Sequence, residues 1–397
     1  MIQQRLGSLL KRAPARAAVV YGETAWTWTQ LAALSEKLNR LLNMVALGDG
    51  ARIGVALENR PQSGAVVAAL LATDRCLTAL NPLRGPERLC ADIEANALPV
   101  VVASSHVLAL PGVRRAIARH GRTIVVDWDG TCEMESVEPV LVTDRSTAPG
   151  VAVETLTVGG RKQVLLTYQQ LATAFRSAGA RGRAGDAGTV AHETGATIVS
   201  TPIAQIGGLV SLVASMYAGR RTVLLDGFLV DEWVHAVERY RPYAAELTPG
   251  AMRALVEANA SAHRLASLQV ITCGTDPCPP QLADALFSRY GIRVVLTYGA
   301  VEFSGAVAGW TRADHVRWWI RKQGAAGRAL PGVALRVVGR GGVELPAGTS
   351  GVLEIRSARE ADAGRQWVRT SDLARLDEDG FLWIEGRTDD AMIGAFA

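Results

Sequence analysis

Short apolar, β-rich runs alternate along the first half of the chain with stretches whose apolar residues recur at helical spacing. Ala17–Tyr21 reads as a strand closed by a turn at Gly22-Glu23. Thr27 then opens a helix pattern that runs to Leu42, with Gln30 three residues on. Thr-x-x-Gln is a capping box: the threonine hydroxyl accepts from the third helical N–H, and the glutamine reaches back to the cap's own N–H. Strand Arg52–Leu57, helix Gln62–Thr73, strand Cys76–Leu80, helix Pro86–Asn96 and strands Val100–Ala103 and Thr123–Val126 follow. Parallel neighbours need a crossover of about a dozen residues, so this alternation predicts parallel strands joined by helices.

Gly130–Gly150 is acidic and weakly patterned and reads as a connecting loop. The alternation resumes with helix Tyr168–Ala178, strand Thr197–Ser200, helix Gly208–Ala218, strand Thr222–Leu225 and helix Val230–Tyr240. Strand Val270–Thr272, helix Pro280–Tyr290 and strand Arg293–Thr297 come next. After Gly324 the texture changes to short strands, Val333–Val338, Gly351–Ile355 and Phe381–Ile384, separated by Gly-, Pro- and Asp-rich turns. The expected fold class is α/β, a layered body with two mostly parallel sheets and a small β-barrel-like subdomain. The expected divisions are a first α/β subdomain over 1–165, a second over 166–325, the small β subdomain over 326–386 and a hinge remnant over 387–397.

Composition narrows the function classes. Of 397 residues 49% are hydrophobic and 20% charged, enough for a large core. The formal net charge is +4 and the positive residues are scattered, which argues against a nucleic-acid or polybasic membrane site. No apolar run reaches the roughly 18 residues that span a bilayer, and Met1–Pro14 lacks the apolar core of a signal peptide. Five cysteines, odd in number and widely spaced, read as free thiols in a reducing cytoplasm. The six histidines show no metal-ligand spacing.

Two segments carry candidate chemistry. Tyr298-Gly299-Ala300-Val301-Glu302 follows an apolar strand, where open α/β sheets bind ligands. Gly admits close approach, Tyr offers a flat face, and Glu offers a hard carboxylate for Mg²⁺; a plain strand-to-loop turn is the alternative. Arg369-Thr370-Ser371-Asp372, with Asp377–Gly380 and Gly386–Asp390 behind it, sets a carboxylate that can hold ribose hydroxyls near an arginine fork that can hold a phosphate. Surface β-turns explain the same residues.

Order and spacing of these and further motifs resemble the adenylate-forming enzymes: acyl- and aryl-CoA synthetases, luciferases and peptide-synthetase adenylation domains. Thr155–Gln163, followed by Leu166-Thr167-Tyr168, stands where that family has its Ser/Thr/Gly-rich phosphate loop. Pro202–Leu209 resembles the acyl-pocket motif, with Gln205 in place of His or an aromatic. Cys273–Pro277 resembles the adenine-contacting step, Tyr298–Glu302 the Tyr-Gly-x-Thr-Glu motif, and Gly327–Gly332 the Gly-Arg-Pro-x-Pro-Gly turn. Thr370–Asp372 resembles Thr-Gly-Asp, and Gly386–Asp390 the hinge.

The resemblance implies a two-step ligase that uses ATP, Mg²⁺ and coenzyme A. Glu302 would hold the metal, and Lys162 with Thr155, Thr157 and Gly159 would contact the triphosphate. Tyr298 and Gly299, with Gly274, Thr275 and Asp276, would face adenine. Asp372 would hold the ribose and Arg387 would lie near ribose or phosphate. Gln205, Gly207, Gly208 and Ala300 would line the acyl pocket, and Asp389 would be the hinge. Gly207-Gly208 equally suits close helix packing, Thr167 a helix cap, and Trp318-Trp319 a packing seam. The sequence departs from the family at Leu156, Val158, Val301 and Ser371, which replace Gly, Thr, Thr and Gly. The family's C-terminal lid domain, with its adenylation lysine, is expected to be absent and to act, with a carrier protein as the other possible partner, in trans. No Asp stands in Pro202–Leu209 to bind an α-ammonium, so a fatty or aryl carboxylic acid is the expected substrate. The rival expectation is a degenerate member that binds acyl ligand or nucleotide without efficient adenylation.

Overall fold

The computed structural model describes residues 2–12, 14–135, 146–156, 163–183, 195–274, 277–300, 305–339, 341–357 and 367–387. The chain divides into two units, Met1–Ala172 with Val190–Tyr240, and Thr173–Thr189 with Arg241–Ala397.

The first unit opens with α1 (Ile2–Arg12), which buries Ile2, Leu6, Leu9 and Leu10 along one stripe. The sequence reading found no element there. The hairpin β1 (Ala17–Tyr21) and β2 (Thr24–Thr27) leads into α2 (Trp28–Met44). Its capping box forms as expected: the Gln30 N–H donates to Thr27 Oγ1 at 3.3 Å, and the Thr27 N–H donates to Gln30 Oε1 at 2.8 Å.

Next come β3 (Arg52–Ala56), α3 (Pro61–Ala72), β4 (Cys76–Leu80), α4 (Pro86–Asn96), β5 (Val100–Ala103), α5 (Ser105–Leu108), α6 (Val113–Ala118) and β6 (Arg122–Val126). β7 (Cys132–Met134), inside the expected loop, and the pair β8 (Val151–Leu156) and β9 (Gln163–Thr167) complete a seven-stranded sheet of order β7-β6-β5-β3-β4-β8-β9. β6, β5, β3, β4 and β8 pair in parallel, and antiparallel β7 and β9 close the edges. Every residue of α3 from Pro61 to Leu71 is buried, which is why the sequence after Ser63 is apolar on all sides.

After α7 (Tyr168–Arg183), β10 (Ala196–Val199), α8 (Ile206–Tyr217), β11 (Arg221–Leu224) and α9 (Val230–Tyr240) join β1 and β2 in a four-stranded sheet, β10-β11-β1-β2. Two buried polar networks brace this unit. Arg75 donates to the Leu47 carbonyl, Asn39 Oδ1 and Asn43 Oδ1 at 2.7–2.9 Å, and its own carbonyl accepts from the Tyr168 hydroxyl at 2.7 Å. Glu154 accepts from Arg52 at 2.8 Å, Thr78 at 2.9 Å and Gln163.

The second unit contains β12 (Ala244–Glu246), α10 (Pro249–Glu257), β13 (Val270–Cys273), α11 (Pro280–Tyr290), β14 (Arg293–Ala300), β15 (Gly305–Gly309) and α12 (Arg312–Lys322). β16 (Gly327–Ala329), β17 (Val333–Val338), β18 (Gly351–Ser357), β19 (Val368–Leu376) and β20 (Phe381–Arg387) follow. All its strands share one nine-stranded sheet, β12-β13-β14-β15-β16-β20-β19-β18-β17. Pairing is parallel up to β14 and antiparallel beyond it, so strand direction changes at β15, ahead of the change of texture after Gly324, and the later short strands continue the same sheet. Trp310 anchors the core here, 4.9 Å from Phe381 and 5.3 Å from Trp319 between ring centres. Trp319 is therefore a packing residue, and its Nε1 donates to Asp284 at 2.7 Å.

Candidate active site

The antiparallel half of the second unit curls back on β14. Val307, Ala308, Leu353, Ile355, Ala374 and Leu382 fill the inside of the curl, and the Tyr298 ring packs against them. The curl brings β19 to β14, although three strands separate them in the sheet order. There the Tyr298 hydroxyl donates to Asp372 Oδ2. Asp372 stands opposite Arg387 in the β19–β20 register, and Arg387 Nη2 donates to Ser371 Oγ at 2.7 Å. The Asp372 N–H donates to Thr370 Oγ1 at 3.1 Å, and that hydroxyl donates to the Leu353 carbonyl at 3.0 Å. Burial raises the Tyr298 hydroxyl's pKa, and the bond to Asp372 adds to it, against the opposing charge of Arg387. The tyrosine thus keeps its proton and donates a hydrogen bond to Asp372. An aromatic ring, a carboxylate and a guanidinium meet on three strands, β14, β19 and β20.

The glycines separate by cause. A Cβ at Gly299 would lie 2.2 Å from the Gly305 carbonyl oxygen, so the close pairing of β14 and β15 requires glycine there. At Gly274 a Cβ would meet Thr297 Oγ1 at 2.1 Å, so packing on β14 explains that residue. Nearby, a hydrogen bond from the Cys273 thiol holds the Cys278 thiol below its ordinary value. The β14 backbone ends at Ala300.

In the first unit, Thr155 is only 5% exposed and sits in β8 opposite Val164. Gln205 caps α8 without a side-chain bond to the helix end. A Cβ at Gly208 would lie 2.4 Å from the Pro202 carbonyl oxygen, whereas one at Gly207 would meet open space. The sequence reading missed Asn59, which is buried. Asn59 Nδ2 donates to the Leu225 carbonyl at 2.5 Å, and its Oδ1 accepts from the Ile203 N–H at 2.7 Å. One side chain thereby ties the end of β11 to the segment that enters α8. No spacing signal marks it, because its partners lie 144 and 166 residues away.

Thr157, Gly159, Lys162, Thr275, Asp276, Glu302 and Asp389 lie outside the described residues. Leu156 and Gln163, which flank the first of those segments, are register partners. Among the described residues no group of three or more His, Cys, Asp or Glu could hold a metal, and no helix is long and apolar enough to cross a membrane.

Known proteins resemble this chain in sequence and fold. Indoleacetate–CoA ligase of Aromatoleum aromaticum is 27% identical over 406 residues, covering 96% of this chain and 77% of that protein. 2-Succinylbenzoate–CoA ligase of Bacillus pumilus is 24% identical over 405 residues, covering 97% of this chain and 78% of that protein. The structure of unliganded o-succinylbenzoate coenzyme A synthetase from Bacillus subtilis matches with a TM-score of 0.76 at 20% identity, covering 97% of this chain and 82% of that one. Residues 8–361, which take in most of both units, match the AMP-binding enzyme family, and the chain belongs to that family.

Proposed function

We propose that the chain activates a fatty or aryl carboxylic acid with ATP to an acyl adenylate and passes the acyl group to coenzyme A or another thiol. The observation that carries this reading is the meeting of Tyr298, Asp372 and Arg387 at positions that resemble the family's nucleotide motifs. Both half-reactions depend on positioning and on neutralising phosphate charge more than on proton transfer. A tyrosine that stays protonated, a carboxylate and an arginine suit that demand. Tyr298 offers its ring to adenine, Asp372 accepts from ribose hydroxyls, and Arg387 faces ribose or phosphate. Thr157, Gly159 and Lys162 are assigned to the triphosphate; Gly274, Thr275 and Asp276 to adenine; Gln205, Gly207, Gly208 and Ala300 to the acyl chain; Asp389 to the hinge. Mg²⁺ takes few protein carboxylates and otherwise substrate phosphates and water, so the single carboxylate of Glu302 suffices to hold it, and the ion would supply charge neutralisation.

The relatives named above act, by their names, on indoleacetate and 2-succinylbenzoate, so aryl acids head the test panel. The experiment is pyrophosphate release from ATP–Mg²⁺ with aryl and fatty acids, with and without coenzyme A. Release that depends on one acid class supports the proposal; no release with any acid rejects it.

The burial of Thr155, together with Leu156 and Val158 in the phosphate loop, favours a second reading: a member that binds nucleotide or acyl ligand without efficient adenylation. Tight binding of a non-hydrolysable acyl-AMP mimic, without pyrophosphate release, would select it.

A further inference from the structure

The start of α8 is not set by its own sequence. α2, α10 and α12 each begin at a threonine whose hydroxyl accepts from a first-turn N–H. At α8 the cap position is Gln205, whose side chain makes no bond to the helix end, and Gly207 and Gly208 stand in the first turn. Glycine is a poor helix former, so local propensity does not choose the residue at which this helix begins.

The segment ahead of α8 is held from elsewhere in the first unit. Ile203 is fully buried, and its N–H donates to Asn59 Oδ1 at 2.7 Å. Asn59 Nδ2 donates to the Leu225 carbonyl at 2.5 Å, and the Leu225 N–H in turn donates to the Val199 carbonyl at the end of β10, at 3.0 Å. Asn59 is itself 7% exposed. One amide thus joins the segments that follow β3, β10 and β11. The task needs a donor and an acceptor on one short side chain. Of residues its size, leucine offers neither and an ionised aspartate only accepts. The clamp reaches the helix through Pro202. The Gln205 N–H donates to the Pro202 carbonyl at 2.9 Å, and the same carbonyl oxygen closes the space where a Cβ of Gly208 would stand. Moving Ile203 therefore moves the first turn of α8, and Gln205 and Gly207 with it.

We propose that Asn59 is a positioning residue of the acyl pocket: it holds the 201–205 segment so that Gln205 and Gly207 stand where they meet the acyl chain. This rests on the reading above that gives those two residues to the acyl chain.

The test titrates the intact chain calorimetrically with AMP and with the sulfamoyl adenosines of benzoate and decanoate, which are non-hydrolysable acyl-AMP mimics. In the wild type the acyl group should tighten binding of at least one mimic over AMP. Asn59→Ala should cut that gain about tenfold, the scale of one buried hydrogen bond, and leave AMP affinity within about twofold. Arg75→Leu removes a brace elsewhere in the same unit; it should lower the melting temperature and leave the gain intact. Asn59→Ser, which leaves a smaller gap, carries the same expectation should the alanine variant fail to fold. Equal losses for AMP and the mimics, or a lower melting temperature with the gain unchanged, would make Asn59 a structural residue only and overturn the proposal. A wild type that gains nothing from either acyl group rejects the acyl-pocket reading itself, and the positioning role with it.

Discussion

Tyr298 does two jobs through two parts of one side chain: its ring packs on the curled strands, and its hydroxyl is committed to Asp372. If the ring also stacks on adenine, Tyr298→Ala should weaken an acyl-AMP mimic by about 1–3 kcal/mol, the scale of a base–aromatic stack. Isothermal titration checks this, and unchanged affinity in a folded variant would move the nucleotide elsewhere. His315 is a second residue with a readable consequence. It stacks on Trp319 with ring centres 4.6 Å apart, and burial lowers its pKa from 6.5 to about 4, with Arg293 adding to the effect and Asp284 opposing it. Between those values the unfolded chain binds a proton that the native chain refuses. The resulting stability is complete above pH 6.5 and is lost as pH falls through 4; it amounts to at most about 3 kcal/mol. Denaturant titrations across that window should show the acid loss, and His315→Phe, which keeps the stack, should flatten it.

At the scale of elements, α8 offers a controlled comparison within one helix. Gly207 is exposed and has open space around its Cβ position, whereas Gly208 lies against the carbonyls of Thr201 and Pro202. Gly207→Ala should stabilise the chain by about 0.4–1 kcal/mol, because Ala restricts the unfolded chain. Gly208→Ala should destabilise it, because backbone must move to admit the methyl group. Thermal melts of the two variants give opposite signs if the packing explanation holds. Should Gly207 also line the acyl pocket, Gly207→Ala would raise KM for the longer acids while raising stability. The helices themselves were legible where local signals suffice. Pro86–Asn96, Val230–Tyr240 and Pro280–Tyr290 match their patterns to the residue. The short strands β7, β12, β15 and β16 were not, because three to five residues carry no periodicity and form only when a partner strand supplies their hydrogen bonds.

For the whole molecule, each unit carries its own core and its own polar braces. Arg75→Leu removes the donors to the Leu47 carbonyl, Asn39 and Asn43 in the first unit, and leaving them unpaired should cost about 3 kcal/mol. The His315 effect belongs to the second unit. Calorimetry should show whether the units unfold separately: Arg75→Leu and acidification would then shift different parts of the trace, and a single transition shifted equally by both would show one cooperative unit. Of the candidate nucleotide residues that are described, Tyr298, Gly299, Asp372 and Arg387 lie in the second unit on β14, β19 and β20 and Gly274 follows β13, whereas Thr155, like Asn59 and the Pro202–Leu209 segment, lies in the first.

The sequence by itself determined what depends on neighbours in the chain. The capping box at Thr27, the alternation of strands and helices, the change of texture after Gly324 and the order of the motifs all rest on contacts a few residues apart. Family membership followed from that order. Only the tertiary structure decided which strands pair, and with that which side chains meet. Tyr298 reaches Asp372 across 74 residues, Asn59 reaches Leu225 across 166, and Arg75 reaches Leu47 and Asn43 across 28 and 32. The same holds for the glycines: Gly299 and Gly208 are fixed by backbone that packs on them, and Gly207, identical in sequence terms, by nothing nearby. Local patterns are written in propensities and hydrogen bonds that each segment can satisfy alone. Long-range pairings form only once burial has removed water as the competing partner, and no short stretch of sequence records them.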